Sequence, residues 1–337
     1  MQRSFARTLL IGGGLTYVSS CLTGNNQQQR LSYRGSALCA SSDETSRLRA
    51  TDADKHFQRY KRIPKPREIH SIVPKREHGK GILVIGDVHG CYSELLLLYE
   101  AAVKENGNDE FQYVVLVGDL VNKGPESISV IHHVRATPNW LSVRGNHDDG
   151  ALAAMLGDQV QSTKVKYNWI FEAEQANPQD DGYKSISDDD VQWMADLPYT
   201  LRLEGSMLNE ENDTLIVHAG LIPGVSLNDQ ATEAMVTIRD VQPVYYSNND
   251  QVTYHMKNRC LGNDGAVAGP TVNWTTVWSG PEHVIFGHDA KRGLQLREWT
   301  TGLDTGCCYG KELTGVILPE RKLVSVKALA LHSPIVD

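Results

Sequence analysis

At 337 residues and 40% hydrophobic content the chain has the make-up of a soluble globular protein with one large α/β domain plus extensions. Its net charge of −8 is unevenly spread: residues 1–80 carry fifteen Lys/Arg against six Asp/Glu, and the remainder eighteen against thirty-five. That acidic body argues against a broad nucleic-acid-binding surface, and the six cysteines (Cys21, Cys39, Cys91, Cys260, Cys307, Cys308) show neither disulfide-scaffold spacing nor a C-x-x-C pair, leaving the redox compartment open.

Residues 1–42 contain Arg3, Arg7, Arg30 and Arg34, no acid, and many Ser, Gln and Gly. The composition is that of a transit peptide, so a mitochondrion or plastid is the expected address. An apolar run over residues 8–18, followed by Ser19-Ser20-Cys21, keeps two rivals open: a secretory signal leading to the secretory pathway or vacuole, and a weak membrane anchor. The run is short and broken by Gly12-Gly13-Gly14. Residues 43–80 form a basic linker interrupted by Pro64, Pro66 and Pro74. A solvated strap over the catalytic body is expected there, against the alternative that residues 55–76 hold a polyanion. Residues 81–337 form the expected catalytic domain.

From residue 81 strands and helices alternate. The runs 81–85 and 113–117 are predicted as buried strands, and a helix after residue 90 turns Leu95, Leu96, Leu98 and Ala102 inward. A helix over 127–135, a strand over 140–143 and a helix over 151–156 follow. Between Asp148 and His218 lies an insertion with an acidic stretch, residues 172–190, expected to wall the site. The sheet resumes at 197–203 and 214–218, a long polar connection spans 226–272, and strands at 314–318 and 323–331 close the chain.

Five short loops carry the chemistry, each at the end of a strand-like run: G-D-V-H-G (residues 86–90), G-D-L-V-N-K-G-P (118–125), R-G-N-H-D (144–148), H-A-G (218–220) and F-G-H-D-A (286–290). In open α/β sheets the loops beyond the carboxyl ends of adjacent strands line one crevice, so these carboxylates and imidazoles converge. Two cations about 3.5–4 Å apart can there clamp the attacking and leaving oxygens of an in-line displacement, which is chemistry for phosphate esters and anhydrides. Asp and His donors with no Cys in the loops suit Mn, Fe, Zn or Co.

These strings resemble the calcineurin-like metallophosphoesterase superfamily, whose blocks read G-D-x-H-G, G-D-x-V-x-x-G, G-N-H-D/E, H-x-G and G-H. The resemblance implies an α/β/β/α sandwich with a di-metal site at the C-terminal ends of the strands. It implies that Asp87, His89 and Asp119 hold one divalent metal, that Asp119, Asn146, His218 and His288 hold the second with Asp119 bridging, and that His147 is the general acid. The closer likeness is to the ApaH-like phosphatases, relatives of symmetrical bis(5'-nucleosyl)-tetraphosphatases and of Ser/Thr phosphoprotein phosphatases. Residues 118–125, 287–295 and 303–310 carry it.

Phosphoprotein phosphatases resemble D-R-G in the second block and H-G-G in the fourth, where this chain has Asn122, Lys123 and Ala219. Asn122 cannot stabilise a charged imidazole as an Asp would, and Lys123 is a point charge without bidentate geometry. Both suit a phosphoanhydride, whose polyphosphate leaving group needs little proton donation. The expectation is therefore a metal-dependent hydrolase that attacks dinucleoside polyphosphate, cap-like or inorganic polyphosphate substrates with a metal-bridging hydroxide. A Ser/Thr phosphoprotein phosphatase is the alternative, and a silent binding protein on the same fold the third reading.

Lys123, Arg144 and Arg239 are candidate contacts for the polyanionic substrate, each with a structural salt-bridge or helix-face alternative. Asn146 could instead cap the following helix. Trp274 and Trp278 either stack a nucleobase or pack in the core, the latter being favoured. The sequence leaves oligomeric state open.

Overall fold

The apolar runs after residue 80 become strands because each is short, branched and flanked by glycine-containing turns. The computed structural model describes residues 63–75, 80–157, 167–170, 185–246, 252–256 and 267–334. The expected address segment 1–42 and most of the acidic stretch 172–190 lie outside the described residues. In chain order the elements are β1 (His70–Ile72), β2 (Ile82–Ile85), α1 (Tyr92–Glu105), β3 (Tyr113–Leu116), α2 (Ser127–Ala136), β4 (Trp140–Ser142), α3 (Asn146–Met155), α4 (Asp188–Asp196), β5 (Thr200–Leu203), α5 (Gly205–Leu208), β6 (Thr214–Val217), α6 (Thr232–Thr237), β7 (Asp240–Tyr245), β8 (Val252–Met256), β9 (Val267–Ala268), β10 (Val272–Asn273), β11 (His283–Phe286), β12 (Gln295–Leu296), β13 (Thr300–Gly302), β14 (Glu312–Leu318) and β15 (Lys322–Lys327).

Two large sheets pack face to face. One has the order β15-β14-β2-β3-β4, the other β1-β5-β6-β11-β13-β12. Strand alternation sorts their side chains: Ile82, Val84, Val115, Val117, Ile216 and Ile285 meet between the sheets, while Leu83, Ile85, Val114, Leu116, Leu215 and Phe286 belong to the core on the outer faces. There α1 contributes Leu95, Leu98 and Ala102, and α2 Val130, Ile131 and Val134. Successive residues of one strand thus serve two cores, which is why β2 and β3 read as unbroken apolar runs. This is the α/β/β/α sandwich the sequence leads one to expect.

The parallel pairs β2–β3, β3–β4 and β6–β11 align their carboxyl ends. The five glycine-flanked loops emerge there.

Four details differ from the sequence reading. The helix expected over 151–156 begins at Asn146, with Gly145 as its cap, because the Asp148 carboxylate accepts the Gly145 amide at 2.8 Å. The connection 226–272 contains β7 to β10, which form a small sheet of their own. The last strand stops at Lys327. The folded body also starts before residue 81, since β1 pairs in parallel with β5 and Ile63 and Val73 are buried. Trp274 is buried and packs edge-on against Phe286, a core role.

Candidate metal centre

The loop after β2 presents Asp87 and His89, the loop after β3 presents Asp119, and the start of α3 presents Asn146 and His147. From the other sheet, β6 leads into His218 and β11 into His288. Asp119 stands between the sheets. Its Oδ2 is 3.4 Å from His89 Nε2, which also lies 3.9 Å from Asp87 Oδ2, and its Oδ1 is 3.4 Å from His218 Nε2. His218 Nε2 lies 3.1 Å from Asn146 Oδ1, and Asp119, His218 and His288 group their ligand atoms within 4.8 Å.

Each imidazole is oriented from behind by a backbone carbonyl. His89 Nδ1 donates to Val121 O (3.1 Å), His218 Nδ1 to Val117 O (2.9 Å) and His288 Nε2 to Thr237 O (3.2 Å). The lone pairs left on His89 Nε2, His218 Nε2 and His288 Nδ1 are thereby committed to the interior.

This arrangement answers whether metal ions fit. His218 Nε2, its other nitrogen already donating, turns a lone pair towards both Asn146 Oδ1 and Asp119 Oδ1, a grouping that a cation would satisfy. The carboxylates make the same demand. Asp87 is held well above the usual carboxylate range by burial, then by Asp304 and Asp119, and burial together with Asp119 pushes Asp148 up to about 7. Like charges about 4 Å apart repel by roughly 4 kcal/mol at an effective dielectric of 20. The imidazoles are correspondingly ready as neutral donors: burial lowers His218 to about 4 and holds His288 well below its ordinary value.

The backbone is bent to achieve this. Among the described residues eight non-glycines have left-handed φ, and five of them are His89, Asp119, Asn122, Lys123 and His288. Each such residue stores about 1–3 kcal/mol of strain, the kind found at functional sites. Two glycines allow the close approach of the loops. A Cβ at Gly145 would collide with the Asp119 carboxylate, and one at Gly287 with the Asp87 carboxylate.

Supporting groups complete the site. Asp148, fully buried, accepts the amides of Asp119 and Leu120, both at 2.9 Å, and so fixes the loop that carries the Asp119 carboxylate. The sequence signal for it was its place three residues after the helix cap. Asp304 is buried and accepts the Gly306 amide at 3.1 Å.

Of the three candidate substrate cations, Lys123 lies at the site. Its Nζ is 2.8 Å from His89 Nε2 and 4.9 Å from the centre of the Tyr309 ring. Burial alone would lower its pKa, but Cys308, Asp119 and Tyr309 more than offset that and raise it. Arg239 follows α6 at the rim, 44% exposed, with Nη2 donating to the His288 carbonyl at 2.9 Å and Nε 3.6 Å from Asp289.

Arg144 is a correction. It is fully buried, pairs with buried Asp149 at 3.2 Å, donates to Tyr199 Oη and to the Pro64 carbonyl, both at 2.9 Å, and stacks on the Tyr199 ring at 4.6 Å. Its charge is consumed inside the protein, so it anchors the β4–α3 loop and does not meet substrate.

Comparison with known proteins matches residues 81–292 to the calcineurin-like phosphoesterase family. The chain is similar to a symmetrical bis(5'-nucleosyl)-tetraphosphatase of Citrobacter koseri, 28% identical with 68% of this chain and 89% of that protein covered. It is also similar to an asymmetrical bis(5'-nucleosyl)-tetraphosphatase of Bacillus velezensis (24%, covering 73% and 92%) and to a zinc-dependent endopolyphosphatase of Saccharomyces cerevisiae (27%, covering 73% and 79%). A crystal structure of a candidate diadenosine tetraphosphatase superposes with a TM-score of 0.55 at 27% identity, covering 77% of this chain and 98% of that one.

Proposed function

This chain belongs to the calcineurin-like phosphoesterase family, and we propose that it is a metal-dependent hydrolase of phosphoanhydride bonds, taking dinucleoside polyphosphate, cap-like or inorganic polyphosphate substrates. The observation that carries this reading is the position of Asp119, one carboxylate oxygen facing His89 and the other His218. A carboxylate so placed suits a ligand shared by two cations. The tetraphosphatase and polyphosphatase relatives support the anhydride class.

In this proposal Asp87, His89 and Asp119 hold one divalent ion, and Asp119, Asn146, His218 and His288 the other. When bound, the two ions acidify the attacking water and neutralise charge developing on the phosphoryl oxygens. Manganese and zinc are the proposed ions. Lys123 adds a positive charge beside the carboxylates, where a polyphosphate must approach, and Arg239 offers a second at the rim. His147 is half-buried at the start of α3 with its ring 4.8 Å from that of His89, and the proposal gives it the departing group.

The proposed layout places an organellar address in residues 1–42 and a basic linker ahead of the sandwich, a point that import of tagged full-length protein tests.

The activity test is a substrate panel. Purified protein supplied with Mn²⁺ or Zn²⁺ should release products from at least one of diadenosine tetraphosphate, a capped dinucleotide and polyphosphate. Inactivity on all three beside robust turnover of a phosphoserine peptide would transfer the site to the phosphoprotein phosphatases.

A further inference from the structure

Asn122 is fully buried beside His147, and its amide is gripped at both ends. Trp169 Nε1 donates to Asn122 Oδ1 at 2.6 Å. Asn122 Nδ2 lies 3.1 Å from His147 Nδ1 and 3.4 Å from the His147 carbonyl oxygen. An indole N–H only donates and a peptide carbonyl only accepts, so the two ends agree on one orientation: amide oxygen towards Trp169, NH₂ towards His147. His147 Nδ1 must then accept, which puts the ring proton on Nε2. A carboxylate at position 122 would do the reverse and accept a hydrogen bond from Nδ1–H. The indole is well supported, because Tyr167 and Ile170 on either side of it are buried in the core.

We propose that Trp169 is a positioning residue which, through Asn122, holds His147 as an Nε2–H hydrogen-bond donor to the leaving oxygen instead of a proton donor, and so confines the site to leaving groups that are stable without protonation. The proposal rests on the phosphoanhydride reading above and gives it a structural cause. In the step, an attacking water oxygen forms the new bond to phosphorus and its surplus proton passes to solvent. The bond from phosphorus to the bridging oxygen breaks, and its electron pair leaves on the polyphosphate. His147 donates a hydrogen bond to that oxygen and keeps its proton. A polyphosphate tolerates departure as an anion; a serine or alkyl alkoxide does not.

The test uses the full-length, Mn²⁺-loaded chain and its Trp169→Phe and Asn122→Asp variants on diadenosine tetraphosphate and on p-nitrophenyl, phenyl and benzyl phosphate. Trp169→Phe releases the amide to turn its oxygen towards the imidazole, and Asn122→Asp supplies an acceptor outright. Both should raise the kcat ratio of benzyl phosphate to diadenosine tetraphosphate by about tenfold or more, flattening the dependence on leaving group. An equal fall on all four substrates would mark Trp169 as merely structural and overturn the proposal. A second readout does not depend on turnover or on the Trp169 and Asn122 variants. In two-bond ¹H–¹⁵N correlation spectra of the Zn²⁺-loaded wild-type chain, the His147 ring, identified by its loss in His147→Gln, should carry its proton on Nε2. A proton on Nδ1 overturns the proposal. Inactivity on all four substrates beside a proton on Nε2 overturns the hydrolase reading and supports the positioning role.

Discussion

The two large sheets bring different chemistry to one edge. Loops of the five-stranded sheet supply Asp87, Asp119 and Asp148 with His89 and Asn146; burial, then Asp304 across the edge and Asp119, raises Asp87, and burial with Asp119 raises Asp148. Loops of the six-stranded sheet supply His218 and His288, which burial keeps neutral, together with Asp304. One sheet contributes most of the charge that calls for cations; the other contributes mainly neutral lone pairs, with Asp304 the one buried carboxylate among these residues. The demand for metal therefore arises mainly on the five-stranded sheet, and the six-stranded sheet sets where the second ion would sit.

The hardest test removes the link between the sheets. Asp119→Asn should lower kcat by about 10³-fold or more and reduce bound metal from two ions towards one, read by elemental analysis of the dialysed protein. An unchanged rate would mean that the sheets share no ligand. Next comes the anchor of the five-stranded side. Arg144→Met strands Asp149 in the core and should cost about 3–5 kcal/mol in denaturant unfolding. A raised KM with unaltered stability would instead return Arg144 to the substrate.

The contrast between charge and lone pairs is sharpened by metal titration calorimetry. Asp87→Ala should weaken Mn²⁺ binding at least about tenfold more than His288→Ala, because only the former removes a charge. Equal losses would erase the distinction between the sheets.

The smallest effect tests the acid response of the six-stranded sheet away from the metals. His283, at the start of β11, is lowered to about 4 by burial and then by Arg321. The unfolded chain protonates this group first, near pH 6.5, so its contribution to stability is intact above that pH and is lost as the pH falls towards 4. The loss amounts to at most about 3 kcal/mol. Chemical denaturation at pH 7 and 4.5 should show His283→Gln losing less stability on acidification than the wild type. An identical loss in both would remove His283 from the acid response.

Much of this edge is legible in the sequence because its logic is local. A glycine, an apolar run and an Asp or His at the strand end are neighbours in the chain, and parallel strands bring such ends together whatever lies between. What was not legible depends on distant partners. Arg144 sits in a glycine-flanked loop, where a cation suggests an anion site; its actual partners, Asp149, Tyr199 and Pro64, are separated from it by 5 to 80 residues. Trp169 carries no signal at all, since nothing near it in the chain announces Asn122, 47 residues earlier. The strands β7 to β10 hide in polar sequence because they pair mostly with one another.

The short arm that precedes the sandwich also limits where the chain can be cut without harm to the fold. Residues 63–75 bury Ile63 and Val73, add β1 to the edge of β5, and lend the Pro64 carbonyl to Arg144. A peptidase that trims the N-terminus must therefore cut upstream of Ile63. A cut a few residues later would expose a bare sheet edge and loosen the arginine that steadies the β4–α3 loop, without removing any of the Asp and His side chains gathered at the site.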